Sequence, residues 1–188
     1  MWPSVIEEEN GVKRAWDIPS RLLKDRIIML TEEVNPATAV SIIGQLLFLQ
    51  SQDSKKEITM YINSPGGCVT DGLAIYDIMQ KIKCPVNTIC VGMAASMAAF
   101  LLCMGTGKRY ATENSTIMIH QPMGGTRGQV TDMMIYTNQI LKTKKKINKL
   151  LAQKTGQSWQ DIEACCERDT YFTAQEAVNF GIIDEICK

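Results

Sequence analysis

The sequence holds a single histidine in 188 residues. That scarcity argues against a Cys/His metal site, and it means that any imidazole-assisted chemistry must use His120. Charge of one sign is also in short supply. Lys plus Arg and Asp plus Glu number 20 each, whereas a nucleic-acid binder usually carries a basic surplus. Zero net charge removes one barrier to self-association. Long hydrophobic runs are missing too. The longest apolar stretches, around Ile42 to Leu49 and Met97 to Met104, are too short to span a bilayer. The N-terminus, MWPSVIEEENGVKRAWD, lacks a basic start followed by an apolar run, so no secretory signal is expected. Seven cysteines include no C-x-x-C pair, and adjacent Cys165 and Cys166 suit neither a zinc knuckle nor a redox motif. Reduced, mostly buried thiols in a reducing compartment follow. A soluble cytoplasmic protein is expected, with no metal and with neither membrane nor nucleic acid as partner.

What is present suits one domain. An apolar share of 45% and a charged share of 21% are close to globular averages and allow a sizeable core. Short apolar runs alternate with amphipathic segments. Ile27 to Leu30 reads as a strand, and Asn35-Pro36 supplies an N-cap and first-turn proline for a helix through Gln50. Ile58 to Asn63 is a second strand, broken by Ser64-Pro65-Gly66-Gly67. A helix over about Asp71 to Lys83 follows, then a strand over Val86 to Gly92 and a helix over Ser96 to Met104. Arg109 to Thr112 and Thr116 to Gln121 are strand-like. Thr131 to Lys154 reads as one long helix with Met134, Ile140, Leu141, Ile147, Leu150 and Leu151 as apolar members. That apolar face is longer than one small core can cover. Its lysines, Lys142, Lys144, Lys145, Lys146 and Lys149, read as a solvated face. Ser158 to Asp161 and Thr173 to Glu176 fit the capping-box pattern and open two short helices, the second ended by Gly181. Strands alternating with helices predict an α/β domain.

Three segments can carry chemistry. In Gly92-Met93-Ala94-Ala95-Ser96-Met97-Ala98-Ala99 a serine stands where a strand meets a helix, close in logic to a nucleophile elbow. The N–H groups that follow lie in a first helical turn and have no internal partners. The competing reading is a plain helix cap beside an alanine-rich packing surface. His120 ends an apolar strand, where α/β active sites collect, and a serine hydroxyl needs such a base; alone, it would read as a structural histidine. Asn63-Ser64-Pro65-Gly66-Gly67 allows close backbone approach to a ligand. A phosphate loop would need a following G-K-[ST], which is absent, and a plain turn stays open.

In their order, NSPGG, GMAASMAAFLL, IMIHQPMGG, KTGQSWQDIE and ERDTYFTAQEAVNFGIID resemble the Clp protease proteolytic-subunit (ClpP) family, from about Pro3 to Asp184. The resemblance implies a crotonase-like α/β spiral of ββα units with a protruding handle helix. It implies an axial N-terminal segment over residues 1–20 and one protease domain over 21–188, with a handle region of about 122–155. It assigns Ser96 as nucleophile, His120 as general base and Asp169 as the acid that orients it. It gives Gly67 and Met97 as oxyanion-hole donors and Met123, Gly124, Gly125 and Thr126 as the edge that binds an extended peptide. Heptameric rings stacked as a tetradecamer are implied, built from one chain or mixed with a paralogue. The expected partner is a hexameric AAA+ unfoldase, which consumes the ATP; the subunit itself needs no cofactor. The unfoldase-docking pocket maps to Leu47, Thr59, Tyr61 and Lys81. Thr59 and Lys81 stand where aromatics are usual, which implies weakened docking and points toward a divergent paralogue. A crotonase-type acyl-CoA enzyme would share the fold but would want acidic groups near the glycine loop.

Overall fold

The computed structural model describes residues 3–9 and 11–187. Residues 1, 2 and 10 of the expected N-terminal segment, and residue 188 of the expected protease domain, lie outside the described residues. The chain begins with a separate antiparallel hairpin, β1 (Ser4–Glu9) and β2 (Val12–Asp17), in which Ser4 pairs with Asp17. Helix α1 (Ile18–Lys24) follows at once, because the Asp17 carboxylate accepts the Ser20 N–H at 2.7 Å. Pro19 falls in the first turn, where a missing N–H removes no intrahelical bond.

The body is a seven-stranded sheet. Strands β3 (Ile27–Leu30) and β4 (Ile58–Ser64) are separated by α2 (Pro36–Gln52). Helix α3 (Val69–Lys81) leads to β5 (Val86–Ala95), and α4 (Met97–Cys103) to β6 (Arg109–Thr112) and β7 (Thr116–Ile119). The long α5 (Val130–Thr155), α6 (Trp159–Cys166), β8 (Thr170–Thr173), α7 (Ala174–Phe180) and β9 (Glu185–Cys187) complete the chain. The order β3-β4-β5-β6-β9 is parallel throughout. β7 lies parallel to β5 and carries the antiparallel β8 on its other side. Among the described residues, no helix is long and apolar enough to cross a membrane.

Strand β5 runs three residues beyond the expected stop at Gly92 and changes partners on the way. Thr88 to Cys90 pair with β6, and Met93 to Ala95 pair with β7. Gly92, at φ +84°, takes the bend between the two halves. The Asn63 side chain accepts the Met93 N–H at 3.2 Å, holding the irregular stretch against β4. A side chain at residue 92 would be strained at that φ and would come within 3.1 Å of the Asn63 side-chain oxygen.

Local capping follows the sequence closely. Asn35 closes a capping box with Thr38 at the start of α2, and Thr173 does so with Glu176 at α7. At α6 the box is only half made. Ser158 caps the Asp161 N–H, but the Asp161 carboxylate takes the Ser158 hydroxyl at 2.6 Å instead of reaching back to the backbone. An aspartate is one methylene shorter than the glutamate that normally spans that distance.

Two arginines bind the periphery to the core. Arg26, held at φ +63°, donates to the carbonyls of Leu49, Asp53, Lys56 and Glu57, which gathers the end of α2. Arg109, 8% exposed, pairs with Asp184 at 2.6 Å and donates to the Gly181 and Ile182 carbonyls. Helix α5 is divided. Ile147, Asn148 and Leu151 are buried, whereas residues 130–139 are all exposed. Ile147 and Leu151 therefore belong to the core of the chain itself, while Val130, Met134, Ile135, Tyr136 and Leu141 carry the surplus apolar face.

Candidate active site

Ser96 occupies the junction between β5 and α4 with φ +55° and ψ −121°. A left-handed conformation at a residue with a side chain is strained. It makes the chain turn sharply from strand to helix and presents the hydroxyl at the apex. The turn is seated on Gly66. A Cβ on Gly66 would come within 2.5 Å of the Ala95 carbonyl oxygen and 2.8 Å of the Met97 nitrogen and Ser96 Cβ. The glycine-rich segment is thus a floor for the elbow.

Sheet register brings the other two groups to this point. Ala95 pairs with Met118, and Ile119 pairs with Thr170. Extending the antiparallel β7–β8 register by one residue sets His120 opposite Asp169. Ser96 Oγ and His120 Nε2 lie 2.8 Å apart, and His120 Nδ1 and Asp169 Oδ1 lie 3.0 Å apart. The imidazole side chain is 10% exposed, and the Asp169 side chain is 57% exposed.

Met97 opens α4, so its N–H has no intrahelical acceptor. Gly67 forms an isolated parallel bridge with Val34. That bridge uses the Gly66 carbonyl and the Cys68 N–H, both at 2.7 Å, and leaves the Gly67 N–H out of it. A small cavity of about 20 Å³ adjoins Ser96 and His120, walled by Val69, Met97, Phe100, Ile119 and Ile147. Its lining is apolar except for the Ser96 and His120 side chains.

These features converge on a family. A family model described as Clp protease matches residues 9–188. The chain belongs to the Clp protease family. Clp proteases are peptide hydrolases, and the mixed α/β architecture of this member agrees with the expected crotonase-like fold.

Other expected site residues are spread over the surface of this Clp protease. Met123 to Thr126 form an exposed segment outside both sheets, with Gly124 close against Ile140 and Tyr136 of α5. Thr59 and Tyr61 lie on the face of β4 opposite the buried Ile58, Met60 and Ile62. Leu47 is exposed on α2, and Lys81 ends α3 in solvent. Of the seven cysteines, Cys84, Cys90, Cys103 and Cys166 are buried and Cys68 is exposed. Burial pushes the Cys90 and Cys103 thiols up to about 11 and Cys166 up to about 12.

One expectation requires correction. Lys144 is not part of the solvated lysine face. Its ammonium reaches Gln121 Oε1 and Glu167 Oε2, both at 3.0 Å, with the side chain 18% exposed. The hydrogen-bonded Lys144 ammonium holds the Glu167 carboxyl below the usual carboxylate range. Lysines at nearly every position of one stretch offered no local signal that one of them turns inward.

Proposed function

We propose that this Clp protease is a serine endopeptidase subunit that cuts unfolded polypeptides into small peptides. The observation that carries the reading is the hydrogen-bonded chain from Ser96 Oγ to His120 to Asp169 at 2.8 and 3.0 Å. His120, with Nδ1–H donating to Asp169, takes the Ser96 proton at Nε2 as Oγ attacks the scissile carbonyl carbon. Asp169 keeps the productive tautomer and stabilises the imidazolium. The Gly67 and Met97 N–H groups receive the developing oxyanion, each such donor contributing roughly 10²–10³ in rate. His120 then returns the proton to the leaving amine, the C–N bond breaks, and water hydrolyses the acyl-Ser96 ester by the same route. The apolar cavity beside the serine favours an apolar side chain at the cleaved residue.

The exposed Met123 to Thr126 segment is suited to pairing with an extended substrate. The exposed apolar half of α5 supports its role as a handle between stacked heptameric rings, a tetradecamer of this chain alone or with a paralogue. The N-terminal hairpin is the axial segment of that assembly. The unfoldase-docking pocket is assigned to Leu47, Thr59, Tyr61 and Lys81. A hexameric AAA+ unfoldase would dock there and consume the ATP, while the subunit hydrolyses peptides with its own side chains and water in the cytoplasm.

The test is labelling of the purified chain by a fluorophosphonate alongside peptide hydrolysis. Ser96 should be the modified residue, and Ser96→Ala should lose labelling and hydrolysis together. Hydrolysis by Ser96→Ala at the wild-type rate would exclude the serine mechanism.

A further inference from the structure

A second network stands beside the Ser96–His120–Asp169 chain. Lys144 of α5 donates to Gln121 Oε1 and to Glu167 Oε2, and Gln121 Nε2 donates to the Glu167 carbonyl, all at 3.0 Å. Lys144, Gln121 and Glu167, the last through both its carbonyl and its carboxylate, close a ring of hydrogen bonds between three separate parts of the fold. Gln121 directly follows His120 at the end of β7. Glu167 lies two residues before Asp169, in the three-residue connection from α6 to β8. Lys144 stands where α5 leaves the body, between its exposed first half and buried Ile147.

The position of Asp169 explains why such a ring matters. Its carboxylate is more exposed than buried, and its one side-chain hydrogen bond among the described residues is to His120. A carboxylate on a short surface connection stays within reach of His120 only while the backbone carrying it is held. Gln121 and Lys144 hold that backbone from the His120 side, through the carbonyl and the side chain of Glu167. Lys142, Lys145, Lys146 and Lys149 remain in solvent on the same helix. Lys144 thus gives up the hydration of its charge for two fixed partners, which a solvated face does not require.

Resting on the triad reading above, we infer that Lys144, acting through Gln121 and Glu167, is the positioning group that keeps Asp169 against His120. It touches no reacting atom. Its effect is to hold two strand ends in one register, so that Nδ1 of His120 meets a carboxylate and Nε2 faces Ser96.

The full chain carrying Lys144→Met or Lys144→Arg provides the test. For Lys144→Met, kcat for peptide hydrolysis should fall roughly 10- to 100-fold, since small displacements of a catalytic group have that effect. KM should stay within about twofold, because no substrate-binding group is removed. Lys144→Arg, which keeps the donor and charge, should recover most of the rate. Glu167→Gln weakens only the charged part of the ring and should act in the same direction, by less. His120 is the only histidine, so ¹³C-histidine NMR of the untagged protein reads this imidazole alone. Its ring resonances should move in Lys144→Met and return in Lys144→Arg. Wild-type kcat in Lys144→Met, or a lower kcat with an unmoved imidazole resonance, would overturn the inference. Ser96→Ala is measured in parallel. If it cleaves like wild type, the serine reading fails; if it is inactive while Lys144→Met is not impaired, only the positioning role fails. The NMR comparison reads the Lys144 effect whether or not the preparation is active.

Discussion

The Ser96 N–H donates to the Met118 carbonyl at 2.8 Å, which carries the β5–β7 ladder into the strained turn itself. Met118 is two residues before His120, so the same strand that anchors the elbow delivers the imidazole. Across β7, Met118 also pairs with Tyr171, two residues after Asp169. One short strand therefore sets the spacing of all three groups, and displacing either neighbour should disturb the chemistry before it disturbs the fold.

Gly66→Ala tests the floor of the elbow. The new Cβ would press on Ala95, Ser96 and Met97, at a residue whose φ of +90° already disfavours a side chain. Fluorophosphonate labelling and kcat should fall by about 100-fold, the scale of a displacement near 1 Å. Labelling of Ser96 at the wild-type rate would show that the floor does not set the serine.

The two halves of α5 should respond differently to charge. Ile135→Glu and Leu141→Glu alter exposed positions, so they should lower the assembled mass in light scattering and leave the protomer folded. Ile147→Glu places a carboxylate in the core and should destabilise the protomer by several kcal/mol. An unchanged mass for both exposed variants would remove α5 from the assembly interface.

Removing Arg109 should be costly. The change Arg109→Ala removes the guanidinium from Asp184 and from the Gly181 and Ile182 carbonyls and leaves Asp184 only the backbone N–H of residue 109, a loss of about 1–3 kcal/mol for partly buried polar groups left without a partner. Burial alone would raise the Asp184 carboxyl, but hydrogen bonds from the Arg109 side chain and backbone outweigh it and hold the group below its ordinary range. Because the folded state binds that proton less readily than the unfolded chain, the pair stabilises the fold above the ordinary carboxylate pKa. That contribution is lost as pH falls through the lower folded value. Denaturant melts of wild type and Asp184→Asn should therefore differ most near neutrality and converge in acid. A constant difference across pH would contradict the pairing.

Thiol reagents should find Cys68 first. It is exposed, while Cys90, Cys103 and Cys166 are buried and titrate at about 11, 11 and 12. The thiolate is the reactive form, so peptide mapping after brief native alkylation should recover modified Cys68 and unmodified Cys90, Cys103 and Cys166. Prompt modification of Cys103 would mean that the α4 core opens readily.

Docking of an unfoldase should be weak for the natural chain and improved by Lys81→Phe with Thr59→Tyr. Each added aromatic offers roughly 1.5–3 kcal/mol of apolar burial, and a ring repeats the gain at every site. Binding of the organism's own AAA+ unfoldase, measured for both proteins, decides the matter: tight binding by wild type with no gain in the double variant would show that these two positions are immaterial.

The parts of this protein legible in the sequence are those fixed by near neighbours. Asn35-Pro36 and Thr173 to Glu176 start helices because their partners are three residues away. The small residues around Ser96 announce a tight strand-to-helix turn, and the lone histidine is the one candidate for a base. The N-terminal hairpin, β8 and β9 leave no readable pattern in the sequence. β8 and β9 span only 4 and 3 residues, too few for a period to show, and they exist because β7 and β6 offer open edges. Only the resemblance points to Asp169, since nothing local separates it from a surface aspartate.

The sequence by itself thus determined the helix starts, the elbow and the candidate base, all interactions of short range along the chain. Tertiary structure alone decided the partner change of β5 at Gly92, the register that sets Asp169 opposite His120 across 49 residues, and the inward turn of Lys144. These depend on which strand edges meet and on where buried polar groups find partners. Such pairings are settled only when distant segments pack together, and no window of neighbouring residues contains them.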